Sequence, residues 1–183
     1  MKFSTVVLLV SLLFISGCQD EVLPKPKAML RLDFPDAKYS KSITDKFVFG
    51  QNEISTIKAQ NKTGLTLDYP TMKGSIYLTY KPVNDDLNTL LRDAQKLSYE
   101  HVVKADNIIE QPFINNDKRV YGMFYEVTGN AASQSQFYAT DSINHFVTGS
   151  LYFYAKPNYD SILPAAIYLQ NDIRKIMESL EWK

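Results

Sequence analysis

Cysteine, histidine and glycine are scarce in this chain. Of its 183 residues one is cysteine, two are histidine and seven are glycine. A single cysteine has no disulfide partner in its own chain, so no disulfide framework can staple the fold. Two histidines and one cysteine fall short of the clustered ligands a zinc site needs, and no H-E-x-x-H stretch occurs. No metal is expected. Neither G-x-G-x-x-G nor a phosphate-cradling loop is present, so no nucleotide cofactor is implied. Charge of one sign is lacking as well: 20 Lys and Arg balance 20 Asp and Glu. Without a basic stripe, nucleic acid is not an expected partner. No internal period marks a repeat architecture.

Long apolar runs are also missing, apart from one at the start. Lys2 precedes Val6-Val7-Leu8-Leu9-Val10-Ser11-Leu12-Leu13-Phe14-Ile15. A bilayer span needs about 20 apolar residues, so this run reads as the core of a secretory signal peptide over residues 1–17. It ends in Ile15-Ser16-Gly17-Cys18, which resembles the bacterial lipobox. That resemblance implies cleavage before Cys18, diacylation of its thiol and acylation of the new N-terminus. Lipidation would also account for the odd cysteine. Each buried CH₂ contributes about 0.8 kcal/mol, so several chains anchor durably. Gln19 follows the cysteine where an inner-membrane retention signal would have Asp. Asp20 and Glu21 resemble the acidic surface-export signal of Bacteroidetes lipoproteins. The outer membrane is the expected location, with the leaflet open. Pro24 and Pro26 stiffen residues 18–28 into a tether of extended geometry, reaching roughly 30 Å at about 3.1 Å per residue.

Residues 29–183 are the length of a single domain. Short alternating strands are expected at 30–34, 47–49, 54–58, 65–69 and 75–80, with turns at Asn61-Lys62-Thr63-Gly64 and Pro70 to Gly74. Asp85 or Asp86 would cap a helix ending near Ala105, its apolar face made of Leu87, Leu90, Leu91, Ala94, Leu97, His101 and Val102. Residues 107–114 read as strand or loop, and 118–128, 134–139 and 145–155 as strands. Apolar residues on both faces of 119–128 and 145–155 predict a sheet covered on both sides. Asp160-Ser161 would cap a last helix with Pro164 in its first turn and Ile162, Ala166, Leu169, Ile173, Ile176 and Leu180 inward, closed by Trp182. The expected class is α+β, a mainly antiparallel sheet with two packed helices. The element order resembles the Mog1/PsbP-like sandwich, an analogy of fold alone.

Few residues carry chemistry. His101 lies on a helix's apolar face and reads as a core or helix-end histidine. His145 has Asp141 and Ser142 close by in sequence, so a hydrolase using His145 with Asp141 or Ser142 is one reading. Against it, no G-x-S-x-G elbow occurs, and Asp-Ser is ordinary turn chemistry. The Asp85-Asp86 pair reads as a helix cap before it reads as a glycosidase pair. No catalytic residue is therefore assigned. Asp141-Ser142-Ile143 and Asp160-Ser161-Ile162 both resemble the D-S/T-aliphatic O-glycosylation motif of exported Bacteroidetes proteins; Ser142 is the better acceptor, since Ser161 has a cap role. Without a catalytic cluster, the main reading is an anchored interaction module presenting tyrosine-rich contact area. An envelope module binding lipid or peptidoglycan is the third.

One ordered set of stretches narrows this. Pro24-Lys25-Pro26-Lys27 with Arg31-Leu32-Asp33-Phe34-Pro35, YKPVNDDL at 80–87, KLSYEHVVKAD at 96–106, VYGMFYEVTGNAASQSQFYATDSINHF at 120–146, GSLYFYAKPNYDSILPA at 149–165 and the terminal ESLEWK together resemble the gliding-motility lipoprotein GldD family of the Bacteroidetes. Residues 46–60 resemble it least. Ala28-Met29 and Ala132-Ser133-Gln134 stand where the family's pattern has Gly-Tyr and Ala-Ser-Pro. The resemblance implies a role in gliding motility and the associated type IX secretion machinery, as an accessory or assembly lipoprotein. Its implied partners are the membrane, through the lipid anchor, and other lipoproteins or envelope proteins of that machinery. It implies no active-site residue, only lipidation at Cys18.

Overall fold

In a computed structural model, residues 33–100, 104–154 and 158–183 are described. The elements run β1 (Tyr39–Ile43), β2 (Phe47–Asn52), β3 (Thr56–Gln60), β4 (Gly64–Tyr69), β5 (Gly74–Pro82), α1 (Leu87–Tyr99), β6 (Ala105–Asn115), β7 (Val120–Gly129), β8 (Ser135–Thr140), β9 (His145–Phe153), α2 (Tyr159–Glu178) and β10 (Glu181–Trp182). Seven strands make one antiparallel sheet in the order β3-β4-β5-β9-β8-β7-β6, and β1-β2-β10 make a smaller one. The class is α+β, as the sequence predicts.

Period-two alternation explains the large sheet. In β4, Leu65, Leu67 and Tyr69 point inward while Thr66 and Asp68 lie between them. In β5, Ile76, Leu78 and Tyr80 are buried and Tyr77, Thr79 and Lys81 exposed. The inner face packs against Leu169, Ile173, Ile176 and Met177 of α2 and against Phe47 and Phe49 of β2. On the outer face, Leu90 and Ala94 of α1 cover Phe146, with Tyr138 beside them; the Tyr138 and Phe146 rings stack at 5.8 Å. Both faces are thus covered where the apolar pattern requires it. Burying each large apolar side chain of this core stabilises by about 1.5–3 kcal/mol.

The turns obey their residues. Asn61 Oδ1 accepts the Thr63 and Gly64 N–H groups at 2.9 and 2.7 Å, which closes the β3–β4 hairpin. A 3₁₀ turn at Pro70–Met72 with Lys73 in the left-handed region joins β4 to β5.

Several expectations need correction. Helix α1 ends at Tyr99, short of Ala105, because Ala105 already pairs with Gly129 in the sheet. Leu97 is 37% exposed, and Ser98 takes the buried place instead, donating to Gln136 Oε1 at 3.1 Å. His101 and Val102 lie outside the described residues. Asp86 is the N-cap residue but makes no side-chain capping bond; its carboxylate accepts the Asn84 N–H. Asn158, not Asp160-Ser161, precedes α2, and Asp160 falls in the first turn, where its charge suits the helix dipole. Pro164 sits in the second turn, not the first. Asp33 and Phe34 are not in a strand; Phe34 packs on the Tyr168 ring at 5.4 Å. Strands β1 and β10 carried no sequence signal that predicted them.

Candidate functional site

The β8–β9 turn is built by one carboxylate. Asp141 Oδ1 accepts the N–H groups of Ile143, Asn144 and His145 at 3.0, 2.8 and 2.8 Å. Burial pushes the Asp141 carboxyl upward, but these three amides outweigh it and hold the group below its usual range. Ser142 takes a positive φ of 68°, and its N–H donates to Thr140 Oγ1 at 2.9 Å. Thr140 Oγ1 in turn donates to the His145 carbonyl at 2.6 Å. His145 is therefore presented at the head of β9 with a fixed backbone.

Its ring is fixed as well. His145 Nδ1 lies 3.1 Å from Tyr80 Oη, in the strand paired alongside. One face stacks on Trp182, with centroids 5.2 Å apart and planes 5° from parallel. Trp182 reaches this place because β10 pairs with β2, Trp182 opposite Phe47. The indole N–H donates to the Arg119 carbonyl at 2.9 Å. Arg119 ends the β6–β7 turn with a φ of 51°, after Asn115 Oδ1 accepts the Lys118 N–H.

These pieces enclose a cleft of about 320 Å³, lined by Lys118, Arg119, Asp141, His145, Glu181, Trp182 and Lys183. Glu181 bridges Lys118 at 2.9 Å and Lys41 at 3.0 Å. The hydrogen bonds from Lys118 and then Lys41 bring its carboxyl down to about 2. Across that bridge lies a second concavity of about 220 Å³, which shares Lys118 and Glu181 and runs along Tyr39, Lys41 and Gly50.

Of the candidates read from sequence, His145 and Asp141 come together in the cleft and Ser142 sits on the exposed loop beside it. They do not form a relay. Asp141 is hydrogen-bonded to its own loop and His145 to Tyr80, while Ser142 hydrogen-bonds through its backbone. Asp85 is exposed, with a φ of 58°, and Asp86 begins α1. Cys18 and His101 lie outside the described residues. Among the described residues no group of three His, Cys, Asp or Glu could hold a metal, and no helix is long and apolar enough to cross a membrane. Sequence reasoning missed Tyr80, Arg119 and Lys118 as parts of a site; nothing local in the sequence joins them, since Trp182 meets Arg119 across 63 positions and Tyr80 meets His145 across 65.

A second polar cluster lies in the interior. Asp172, 1% exposed, accepts from Tyr39 Oη at 2.6 Å and from Asn52 Nδ2 at 2.8 Å. Asn52 Nδ2 also meets Tyr168 Oη at 3.1 Å. Burial raises the Asp172 carboxyl above its ordinary range, against the hydrogen bonds that lower it. No salt bridge to Asp172 occurs among the described residues.

Compared with protein families, the chain matches the one described as gliding motility lipoprotein GldD over residues 19–182. No curated protein matches it.

Proposed function

The chain belongs to the gliding motility lipoprotein GldD family, and on that footing we propose that it is a membrane-anchored assembly component of the gliding and type IX secretion machinery of a Bacteroidetes cell. It acts through protein contacts rather than through a reaction of its own. The observation that carries this reading is the reach of the family match, which covers nearly everything after Cys18. The match starts at Gln19, one residue after the cysteine at which the mature chain would begin.

On this reading Cys18 is acylated and tethers the protein to the outer membrane. Residues 18–28 act as spacer, and residues 29–183 fold as one domain. Ser142 is an O-glycan acceptor: it lies on an exposed turn next to Ile143, itself 55% exposed, where a glycan can be accommodated. The cleft beside that turn is the contact site.

Deletion with complementation tests the reading. Loss of the gene should abolish colony spreading and lower secretion of type IX cargo, and the wild-type gene should restore both. Normal spreading together with normal secretion in the deletion strain would overturn it. Cys18→Ala should lose metabolic palmitate labelling and keep its leader; retained labelling removes the anchor. Intact-mass analysis of the exported protein should show a glycan that Ser142→Ala lacks.

A further inference from the structure

We infer that the cleft between the β6–β7 turn, the β8–β9 turn and β10 binds a carboxylate-bearing segment of a partner protein, with Arg119 as its main anchor. This deepens the proposed contact function and rests on it for its biological setting.

The first argument is the backbone at Arg119. A φ of 51° is a conformation glycine adopts freely and other residues adopt only against a steric penalty at Cβ. The bond from the Trp182 indole N–H to the Arg119 carbonyl, 2.9 Å, pins that conformation. Glycine would satisfy the turn and would keep the same carbonyl acceptor, so the turn itself does not call for arginine. Strain of this kind points toward function. The guanidinium makes no ion pair among the described residues.

The second argument concerns which charges are already committed. Asp141 is engaged by three backbone amides, and Glu181 by Lys118 and Lys41. Neither is left to neutralise Arg119. Lys183 Nζ rests on the Thr44 carbonyl at 3.1 Å, a contact that orients the ammonium without cancelling its charge. At His145, Tyr80 occupies Nδ1; when the Tyr80 hydroxyl donates there, Nε2 carries the ring proton and is the donor left over. Arginine, lysine and a donor imidazole on a rigid aromatic floor match a carboxylate, which guanidinium groups engage through two parallel hydrogen bonds. The Lys118–Glu181–Lys41 bridge shows the same surface already holding one carboxylate between two cations.

Shape favours a peptide over a small acid. The cleft of about 320 Å³ and the second concavity of about 220 Å³ lie side by side, with Lys118 and Glu181 as shared walls. A free carboxylate would need one of these; an acidic chain segment spans both.

The test uses the full-length lipoprotein in detergent and a fluorescein-labelled octapeptide of alternating Glu and Ser. Its counterpart with Gln for Glu, and free glutarate as competitor, complete the set. The Glu peptide should bind at least tenfold more tightly than the Gln peptide, and more weakly as salt rises. Arg119→Gly should weaken it at least tenfold while leaving the melting temperature equal or higher, which separates binding from folding. Lys62→Gln, on the β3–β4 turn, should change nothing. Equal binding of the Gln peptide, or wild-type affinity in Arg119→Gly, overturns the proposal. Glutarate displacing the peptide at matched carboxylate concentration overturns the peptide assignment in favour of a small acid. Peptide binding alongside normal gliding in the deletion strain would break the functional reading alone; loss of gliding on deletion with unaltered binding by Arg119→Gly would break this inference alone.

Discussion

Tyr39 donates its hydroxyl to Asp172 at 2.6 Å, although 133 positions separate the two in the chain. The bond ties the first strand of the small sheet to the helix that fills the main core. A hydrogen bond to a charged group is worth about 1.5–3 kcal/mol. Tyr39→Phe is expected to lower unfolding stability by about 2 kcal/mol, read by urea denaturation. Asp172→Ala should lower it further, since it also removes one of the two hydrogen-bond partners of the buried Asn52 amide. A Tyr39→Phe variant as stable as wild type would show that the bond contributes nothing net.

The same carboxylate predicts a pH dependence of definite sign. Burial raises the Asp172 carboxyl in the native state, so the folded protein holds this proton more tightly than the unfolded chain. Its favourable contribution is complete below the unfolded value of about 3.9 and is lost as pH rises through the native value. The stability of wild type relative to Asp172→Asn should therefore decline as pH rises across the acid range. A difference that grows with pH would reverse the assignment.

Glu181 and Asp141 behave in the opposite sense. Lys118 and Lys41 lower Glu181 to about 2, so its contribution is present above its ordinary range, near 4.5, and is lost as pH falls toward 2. Glu181 is solvent-facing, so added salt should weaken the bridge, and Glu181→Gln should lose both the acid and the salt dependence.

Asp141→Ala removes an acceptor shared by three backbone amides. It should cost about 2–3 kcal/mol and release the turn that presents His145. Asp141→Asn, which keeps the acceptor oxygen, should recover part of the loss. Hydrogen exchange at the amides of residues 143–145 reads the effect directly.

Gly149 pairs with Phe137 across β8 and β9, and a Cβ there would run into the Phe137 ring. Gly149→Ala forces that ring out of a packed core, at a cost of about 1–3 kcal/mol or more. A cycle with Phe137→Leu should show strong coupling, since the smaller side chain relieves the clash.

What the sequence made legible follows from physical range. Strands β4 and β5 announce themselves by alternation, β7 and β9 by runs that are apolar on both faces, and α2 by apolar spacing, because those patterns are local. Strand β1, YSKSI, is polar and lies at a sheet edge, so it lacks the apolar period. Strand β10 is two residues long and exists only because β2 offers a pairing edge. The site was half visible for the same reason. Asp141 and His145 share one turn, but Tyr80, Arg119 and Trp182 come to them only through pairings between distant strands.

The small sheet has a mechanical consequence. Tyr39 pairs with Asn52 and Ile43 with Val48, so the hairpin's loop end lies at Ile43 and its open end at Tyr39. A load arriving from the N-terminal side pulls on the open end and peels the ladder rung by rung, the weak direction for a hairpin. Phe34 on Tyr168 stands ahead of the first rung and Tyr39 on Asp172 stands at it, and both fasten this segment directly to α2. If the chain is drawn taut between a lipid and a moving partner, these two contacts, rather than the sheet itself, meet the force first.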